Sequence, residues 1–326
     1  MNIKNILKSN RIIRCIGKRM NVIKQFMQDA HDFNKYYVEE AELKKDYRYS
    51  IMLLVHSLEK GMCYKEPRPF GIDKVSELIK LLDHYSQEQR EDFEYRLGIA
   101  SLYAWKDIFE THNWTNIPIY SKVCIFLKSI PKDSQIISGS KEYIPIINSK
   151  AADFYEKHFL NRHSVRDFKD EKIKMEDIQF ALKCFVETPT ACNRQMCHVY
   201  YIDNSEITNL LSHVIVGISG FNKQTVQYFV ITYDLASFAY SGERQQGMFN
   251  AGLCAMNFIN GLHAKGIGSC CLQWSNKYKQ DVEVRKKMGI KDSERIGIVI
   301  GAGYYLEKSI IPCSIRKSIT DIFSII

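Results

Sequence analysis

The sequence predicts an α+β protein in two parts: an all-helical region over residues 1–150, then a region over 151–326 in which helices alternate with short strands. Two observations separate the parts. Up to about Lys128 the apolar residues recur at helical spacing, whereas beyond Ala151 short β-rich runs stand between such stretches. Five of the seven prolines fall between Pro67 and Pro145, while twelve of the seventeen glycines lie at or after Gly217, so the turn chemistry changes at mid-chain too.

In the helical part, Ile6, Leu7, Ile13 and Ile16 mark a first helix, and Tyr47, Ile51, Leu54, Val55 and Leu58 a second. Val75, Leu78, Ile79 and Leu82 mark a third, and Tyr95, Ile99, Leu102 and Tyr103 a fourth. Pro131 and Pro145 bracket a Ser- and Gly-containing stretch, 134–141, that reads as a linker. The mixed part predicts helices over 151–160, 175–186, 242–265 and 278–288, with strands over 198–202, 226–232, 267–272 and 296–300. Gly266 follows the longest helix at the position where a left-handed residue is usual. No internal repeat is present.

The chain of 326 residues carries a formal charge of +8, but Lys4, Lys8, Arg11, Arg14, Lys18, Arg19 and Lys24 precede the first acid, Asp29. The remainder is therefore close to neutral. That argues against a nucleic-acid-binding protein, which needs a distributed basic face. Residues 1–28 place Ile6, Leu7, Ile13 and Ile16 among the seven cations, which fits either weak peripheral contact with an anionic membrane or a solvated arm. No stretch of about 18 apolar residues predicts a membrane span, and no signal peptide is expected. The ten cysteines are dispersed without a CxxC, which argues against zinc and for a reduced, cytoplasmic setting.

Several site types fall away. Gly261 to Gly266 has the frame of a phosphate loop, but Ile267 stands where its lysine must be. Gly266-Ile-Gly268 lacks the third glycine of a dinucleotide fingerprint and precedes a strand. Four stretches remain. Arg162, Ser164 and Arg166 alternate in Arg-His-Ser-Val-Arg-Asp-Phe, so in an extended segment they present three donors to one side, able to grip phosphate and carbonyl oxygens; an exposed basic turn is the alternative. Thr188 to Gln195 is a polar loop suited to a heterocycle edge, or to no more than a connection. Gly266 to Trp274 runs a strand into an aromatic residue, and Pro312 to Arg316 ends in an arginine.

Taken together, these stretches resemble the flavin nitroreductase family. Arg162 to Phe168 is similar to its R-[RH]-S-x-[RK]-x-F element; Pro189, Thr190, Asn193 and Gln195 to P-[ST]-x-x-N-x-Q; Gly266 to Ser269 to G-[LI]-G-S; and Arg316 to a closing basic residue. The resemblance covers residues 151–326. Gly242 to Gln246, Cys270 to Ser275, His56 to Gly61 and Arg68 to Gly71 further resemble a subgroup with a helical N-terminal extension, found beside bacterial surface-polysaccharide genes.

The resemblance implies a mostly antiparallel central sheet flanked by helices, bound FMN, NAD(P)H as electron donor, and an intertwined homodimer with the flavin at the interface. It further implies that Arg162 and Arg316 hold the FMN phosphate, that His163 and Ser164 touch phosphate or ring edge, and that Arg166 faces the pyrimidine. There a cation stabilises the charge that builds on reduction. Pro189, Thr190, Asn193 and Gln195 belong to the flavin site, the first three reaching it from the second subunit, and Leu272, Gln273 and Trp274 bring a backbone N–H to flavin N5. The chain departs from the pattern at Met196-Cys197, where Pro-Trp is usual, and at Asn250 and Asn257. Trp274 either limits the space above the ring or packs in the core, and Glu243 with Arg244 forms either a substrate clamp or a surface charge pair. The expected activity is a nitroreductase-like FMN oxidoreductase acting on a small organic substrate. The alternatives are a flavoenzyme tailoring a specific saccharide or peptide precursor, and a flavin-binding scaffold without activity. His56, Glu59 and Lys60 read as a lid over the site or as a solvated helix face.

Overall fold

The computed structural model describes residues 11–40 and 46–326. Ile3, Lys4, Ile6, Leu7 and Lys8 lie outside the described residues. Ten α-helices are present among the described residues, five of them in the first part: α1 (Arg11–Phe33), α2 (Arg48–Met62), α3 (Ile72–Asp83), α4 (Phe93–Thr111) and α5 (Pro118–Leu127). The apolar spacing of α2 to α5 forms one core. Ile51, Val55 and Leu58 of α2 meet Leu78 and Leu82 of α3, Leu102, Trp105 and Phe109 of α4, and Val123 of α5. Trp105 stacks on Phe109 at 3.7 Å and donates its indole N–H to the Phe70 carbonyl at 3.1 Å, so its one polar atom is satisfied inside the core. Helix α5 begins with Pro118, whose missing N–H costs nothing at that position. The sequence pattern marked neither α5 as a separate helix nor the run of α1 as far as Phe33. The expected linker is irregular, and it is pinned to this core: Arg96 bonds Asp133, and Glu59 accepts from Ser138 Oγ at 2.8 Å.

The second part contains α6 (Ala151–His158), α7 (Met175–Val186), α8 (Ser205–Val214), α9 (Gln246–Ala264) and α10 (Tyr278–Lys287), with strands β1 (Cys197–Ile202), β2 (Gln227–Asp234), β3 (Ile267–Leu272) and β4 (Glu294–Tyr304). The strands form one antiparallel sheet in the order β1-β2-β4-β3. The central strands are buried on both faces. Phe229, Ile231, Ile300 and Ala302 pack against α7 and α9, whereas Tyr228, Val230 and Val299 pack against Leu211 of α8 and Val284 of α10. This is the α+β arrangement expected, with a helical region before it.

Three details differ from the sequence reading. Strand β4 runs over 294–304, six residues longer than the expected 296–300: Glu294 and Arg295 add two at the start by pairing with Asp234 and Tyr233, and four are added at the end, where Gly301 and Gly303 pair within the ladder. Helix α8 was not expected; it is started by Asn204, whose side chain accepts the N–H groups of Glu206 and Ile207 at 2.9 and 3.1 Å. The long helix begins at Gln246, after a separate turn over Ser241–Glu243.

The two parts meet through polar contacts on buried ground. Tyr49 of α2 donates to Asp234 at 3.1 Å, and Lys291 reaches the same carboxylate oxygen at 3.2 Å. Asp32, at the end of α1, pairs with Arg295 of β4 and accepts from the Tyr278 hydroxyl at 3.0 Å, while Phe33 stacks on Phe238 at 5.2 Å.

Candidate functional site

The segment Arg162 to Phe168 lies along the outer edge of β3. Ser164 pairs with Ser269 in a parallel bridge, and the Val165 N–H donates to the Ser269 carbonyl at 3.2 Å. Two glycines make this approach possible. A Cβ on Gly268 would stand 2.4 Å from Val165 Cγ2, and one on Gly303 would stand 2.5 Å from Phe168 Cβ. With Val165 and Phe168 turned into the core, Arg162, Ser164 and Arg166 are left half-buried and His163 exposed. The alternation in the sequence is thus carried into space. Arg166 lies over the Phe221 ring at 6.0 Å, and among the described residues neither Arg162 nor Arg166 forms an ion pair. Two uncompensated guanidinium groups on one strand edge suit a dianionic ligand with a polar ring, which is the chemistry of FMN.

Arg162 is close enough to His263 and Tyr305 for its charge to bear on both. His263 was not singled out from sequence. Its Nε2 donates to the His158 carbonyl at 2.9 Å and its Nδ1 accepts from the Tyr305 hydroxyl at 2.9 Å, which defines the neutral tautomer. Burial pushes the imidazole below its ordinary value, and Arg162 adds to this against the opposing His158 bond. The ring also stacks on His158 at 4.4 Å. Together these contacts fasten the end of α6 to α9, four residues before Arg162.

The loop from Thr188 to Met196 is more constrained than its composition suggests. Cys192, Asn193 and Gln195 adopt φ values of 51°, 51° and 50°, in the left-handed region. What holds them is Arg194, 1% exposed. Its guanidinium donates to the carbonyls of Ala191 (3.1 Å) and Ser237 (2.6 Å) and to both carboxylate oxygens of Glu243 (2.9 and 2.6 Å). Burial acts to raise the Glu243 carboxyl, but the Arg194 bonds and the Ala239 and Tyr240 N–H groups outweigh it and hold the group below its ordinary value. Glu243 is therefore paired with Arg194, not offered with Arg244 as a clamp. The Gln195 N–H donates to Thr190 Oγ1 at 3.0 Å, closing the loop. Pro189, Asn193 and Gln195 are exposed and Thr190 half-buried, so the loop presents them outward.

The departures from the family pattern are packed into this loop. Met196 is buried, with its sulfur near the Ser237 hydroxyl (3.2 Å) and the Asn250 amide (3.3 Å). Asn257 donates to the Cys184 carbonyl and to Thr188 Oγ1, both at 3.0 Å. At the end of β3, Leu272 is buried and Gln273 exposed; the Trp274 ring packs against the core under α8 and α10 and donates to Asp281 at 2.7 Å. Trp274, itself half-buried, is thus packed against core side chains. Arg316 is exposed on the C-terminal segment after β4, and none of the hydrogen bonds among the described residues joins it to Arg162.

Beside the loop, the start of α2 meets the turn Ala191–Asn193. Arg48, Tyr49 and Met52 line a cavity of about 270 Å³ together with Arg194, Gln195 and Met196. Further along the helix, Glu59 is occupied by the linker, and His56 lies 4.0 Å from it. Burial and then Lys60 push His56 below its ordinary value. Among the described residues no cluster of His, Cys, Asp and Glu could hold a metal ion, and no helix is long and apolar enough to cross a membrane.

No curated protein matches the chain. Among solved structures, an FMN-dependent nitroreductase from Clostridium difficile R20291 is 20% identical, covering 51% of this chain and 94% of that one with a TM-score of 0.41. A nitroreductase family protein from Streptococcus pneumoniae TIGR4 is also 20% identical, covering 52% and 98% with a TM-score of 0.44. The family model described as Nitroreductase family matches residues 160–304, from just before Arg162 to the end of β4. The α+β segment 160–304, less than half of the chain, is thus the part that matches the Nitroreductase family, and helices α1 to α5 lie outside it.

Proposed function

We propose that the chain is an FMN-dependent oxidoreductase that takes reducing equivalents from NAD(P)H and passes them to a second small organic substrate in ping-pong order, acting as a homodimer. The observation that carries this reading is the strand-edge segment Arg162 to Phe168, with two half-buried guanidinium groups that have no carboxylate partner among the described residues, inside residues that match the Nitroreductase family. FMN, when bound, supplies hydride acceptance and donation at N5. In this reading Arg162 binds the phosphate with Arg316, His163 and Ser164 add contacts at phosphate or ring edge, and Arg166 favours negative charge on the pyrimidine side. The backbone at Leu272 to Trp274 orients the ring. Pro189, Thr190, Asn193 and Gln195, held outward by Arg194, belong to a site completed by the second subunit.

A second copy is supported by unpartnered apolar surface. Met248, Phe249, Leu253 and Met256 are exposed on one face of α9, and Ile315, Ile319, Ile322 and Phe323 are exposed on the C-terminal segment that carries Arg316. The ten free cysteines suit a reducing, cytoplasmic compartment.

The test is direct. Purified protein incubated with FMN should retain the yellow chromophore and oxidise NADH or NADPH when a nitroaromatic acceptor is present, and Arg162→Ala should weaken flavin binding at least tenfold. Protein that stays colourless would sink the proposal. Bound FMN without NAD(P)H oxidation would favour a flavin-binding scaffold instead. A second enzymatic reading, tailoring of a specific saccharide or peptide precursor, is favoured by the contact of Tyr49 and Met52 with the cavity at Gln195, since the helical region then borders the substrate space. It predicts slow reduction of nitroaromatics.

A further inference from the structure

Helix α1 is docked on one side and bare on the other. Its docked face is built from Gln25 and Asp32: Gln25 accepts the Tyr278 N–H at 3.1 Å, and Asp32 pairs with Arg295 and accepts from the Tyr278 hydroxyl, while the exposed Asp29 carboxyl feels the charges of Asp32 and Arg295. At 100° per residue, the opposite face carries Ile16, Met20, Ile23 and Met27, spaced four, three and four apart. These four are 52%, 65%, 59% and 66% exposed. An amphipathic helix of a globular protein normally turns such a stripe inward. Here it faces away from the body.

The charge of the helix says what could cover that stripe. From Arg11 to Gln28 it has five cations, Arg11, Arg14, Lys18, Arg19 and Lys24, and no acid. Arg19 and Lys24 flank the apolar stripe, and the other three project from the far side of the turns that precede the docked ones. Pairing this face with the same helix of a second copy would set Arg19 and Lys24 of each copy, four cations, along one apolar seam with no acid from Arg11 to Gln28 to offset them. A nucleic acid would match the cations but leave the four apolar side chains in water. An anionic lipid surface satisfies both, because the apolar stripe enters the acyl boundary while flanking cations stay among headgroup phosphates.

We propose that α1 is an interfacial helix that attaches this protein to membranes rich in anionic lipid, lying flat with Ile16, Met20, Ile23 and Met27 inserted. The stripe extends about 16 Å along the axis, at 1.5 Å per residue, which suits lying on a bilayer and not crossing it. The docked face fixes the orientation of the whole molecule: the starts of α10 and β4 lie directly behind the helix.

Co-sedimentation of the full chain with vesicles tests this. The protein should pellet with equimolar phosphatidylcholine and phosphatidylglycerol, stay in solution with phosphatidylcholine alone, and be released as salt rises. Ile23→Glu should lower the partition coefficient at least about tenfold, and replacing Arg19 and Lys24 with glutamine should lower it about fivefold per cation. Both changes are on exposed positions, and an unchanged thermal melt checks that the fold is kept. Wild-type protein that fails to pellet, equal binding to both vesicle types, or Ile23→Glu pelleting like wild type would each overturn the proposal. So would a smaller mass by light scattering for Ile23→Glu in the absence of lipid, which would identify a second copy as the occupant.

Discussion

Arg194 and Glu243, forty-nine positions apart, form a two-pronged ion pair at 2.9 and 2.6 Å, and the pair holds the only stretch of the described chain with three closely spaced non-glycine residues in the left-handed region. The strain of Cys192, Asn193 and Gln195 costs about 1 kcal/mol or more at each position and persists because Arg194 ties both sides of the loop to Ser237 and Glu243. Glu243→Gln should therefore destabilise the fold by about 3 kcal/mol, since it leaves the buried guanidinium without its counter-charge. Urea denaturation measures this. A loss under about 1 kcal/mol would mean that the loop is held by other contacts.

The pH dependence of stability separates two groups. His263 is half-buried and neutral with its value pushed down, so the unfolded chain takes up the proton first, and the stability present above about pH 6.5 is lost as pH falls toward the folded value. His56 adds the same sign. Glu243, also held down, contributes stability above about pH 4.3 that disappears as pH falls further. His263→Gln should flatten the profile only on the first limb, and Glu243→Gln only on the second. Equal slopes in His263→Gln and wild type between pH 5 and 6.5 would contradict this assignment.

Gly268 is a matched surface for Val165. Gly268→Ala should displace the strand-edge segment, lowering stability by about 1–3 kcal/mol and weakening FMN binding in parallel. Because the nearest clash is with Val165 Cγ2 and the Tyr305 ring follows at 2.8 Å, the double variant with Val165→Ala should recover part of the binding. Failure of the second change to rescue the first would show that the segment is placed by something other than this contact.

Trp274 offers a contrast. Its indole N–H is taken by Asp281, so Trp274→Phe should cost about 1 kcal/mol in stability while leaving the substrate profile unchanged. A shift in relative kcat/KM between small and bulky acceptors would return Trp274 to the wall of the substrate space.

Much of the architecture could be read from residue patterns, and what could not has local causes. Helix α7 and strand β3 begin and end where apolar spacing and flanking glycine put them. Strand β4 continues past the apolar run 296–300 through Gly301 and Gly303, whose bareness admits Phe221 and Phe168 against the sheet, a reason for glycine that only the packing reveals. Helix α8 had a legible start in Asn204 and a legible apolar face in Ile207, Leu210, Leu211 and Val214, but its ten residues carry only two turns of pattern after the cap. In the site, the alternation of Arg162, Ser164 and Arg166 survived folding intact because Val165 needed the core. Arg194 and His263 were illegible: the partners that define them, Glu243 and Tyr305, lie forty-nine and forty-two residues away, and no local spacing encodes such a meeting.

The carboxylate of Asp234 ties the helical half to the other. It is almost completely enclosed and is shared between Tyr49 from one part and Lys291 from the other. A chain begun at residue 151 would keep Lys291 but lose the phenol, opening the buried charge and the neighbouring Arg194 loop to water. Melting should accordingly be a single concerted event in which both halves are lost together. Natural variation in the helical region would then be limited less by what it touches in solvent than by the need to keep one hydroxyl above one acid.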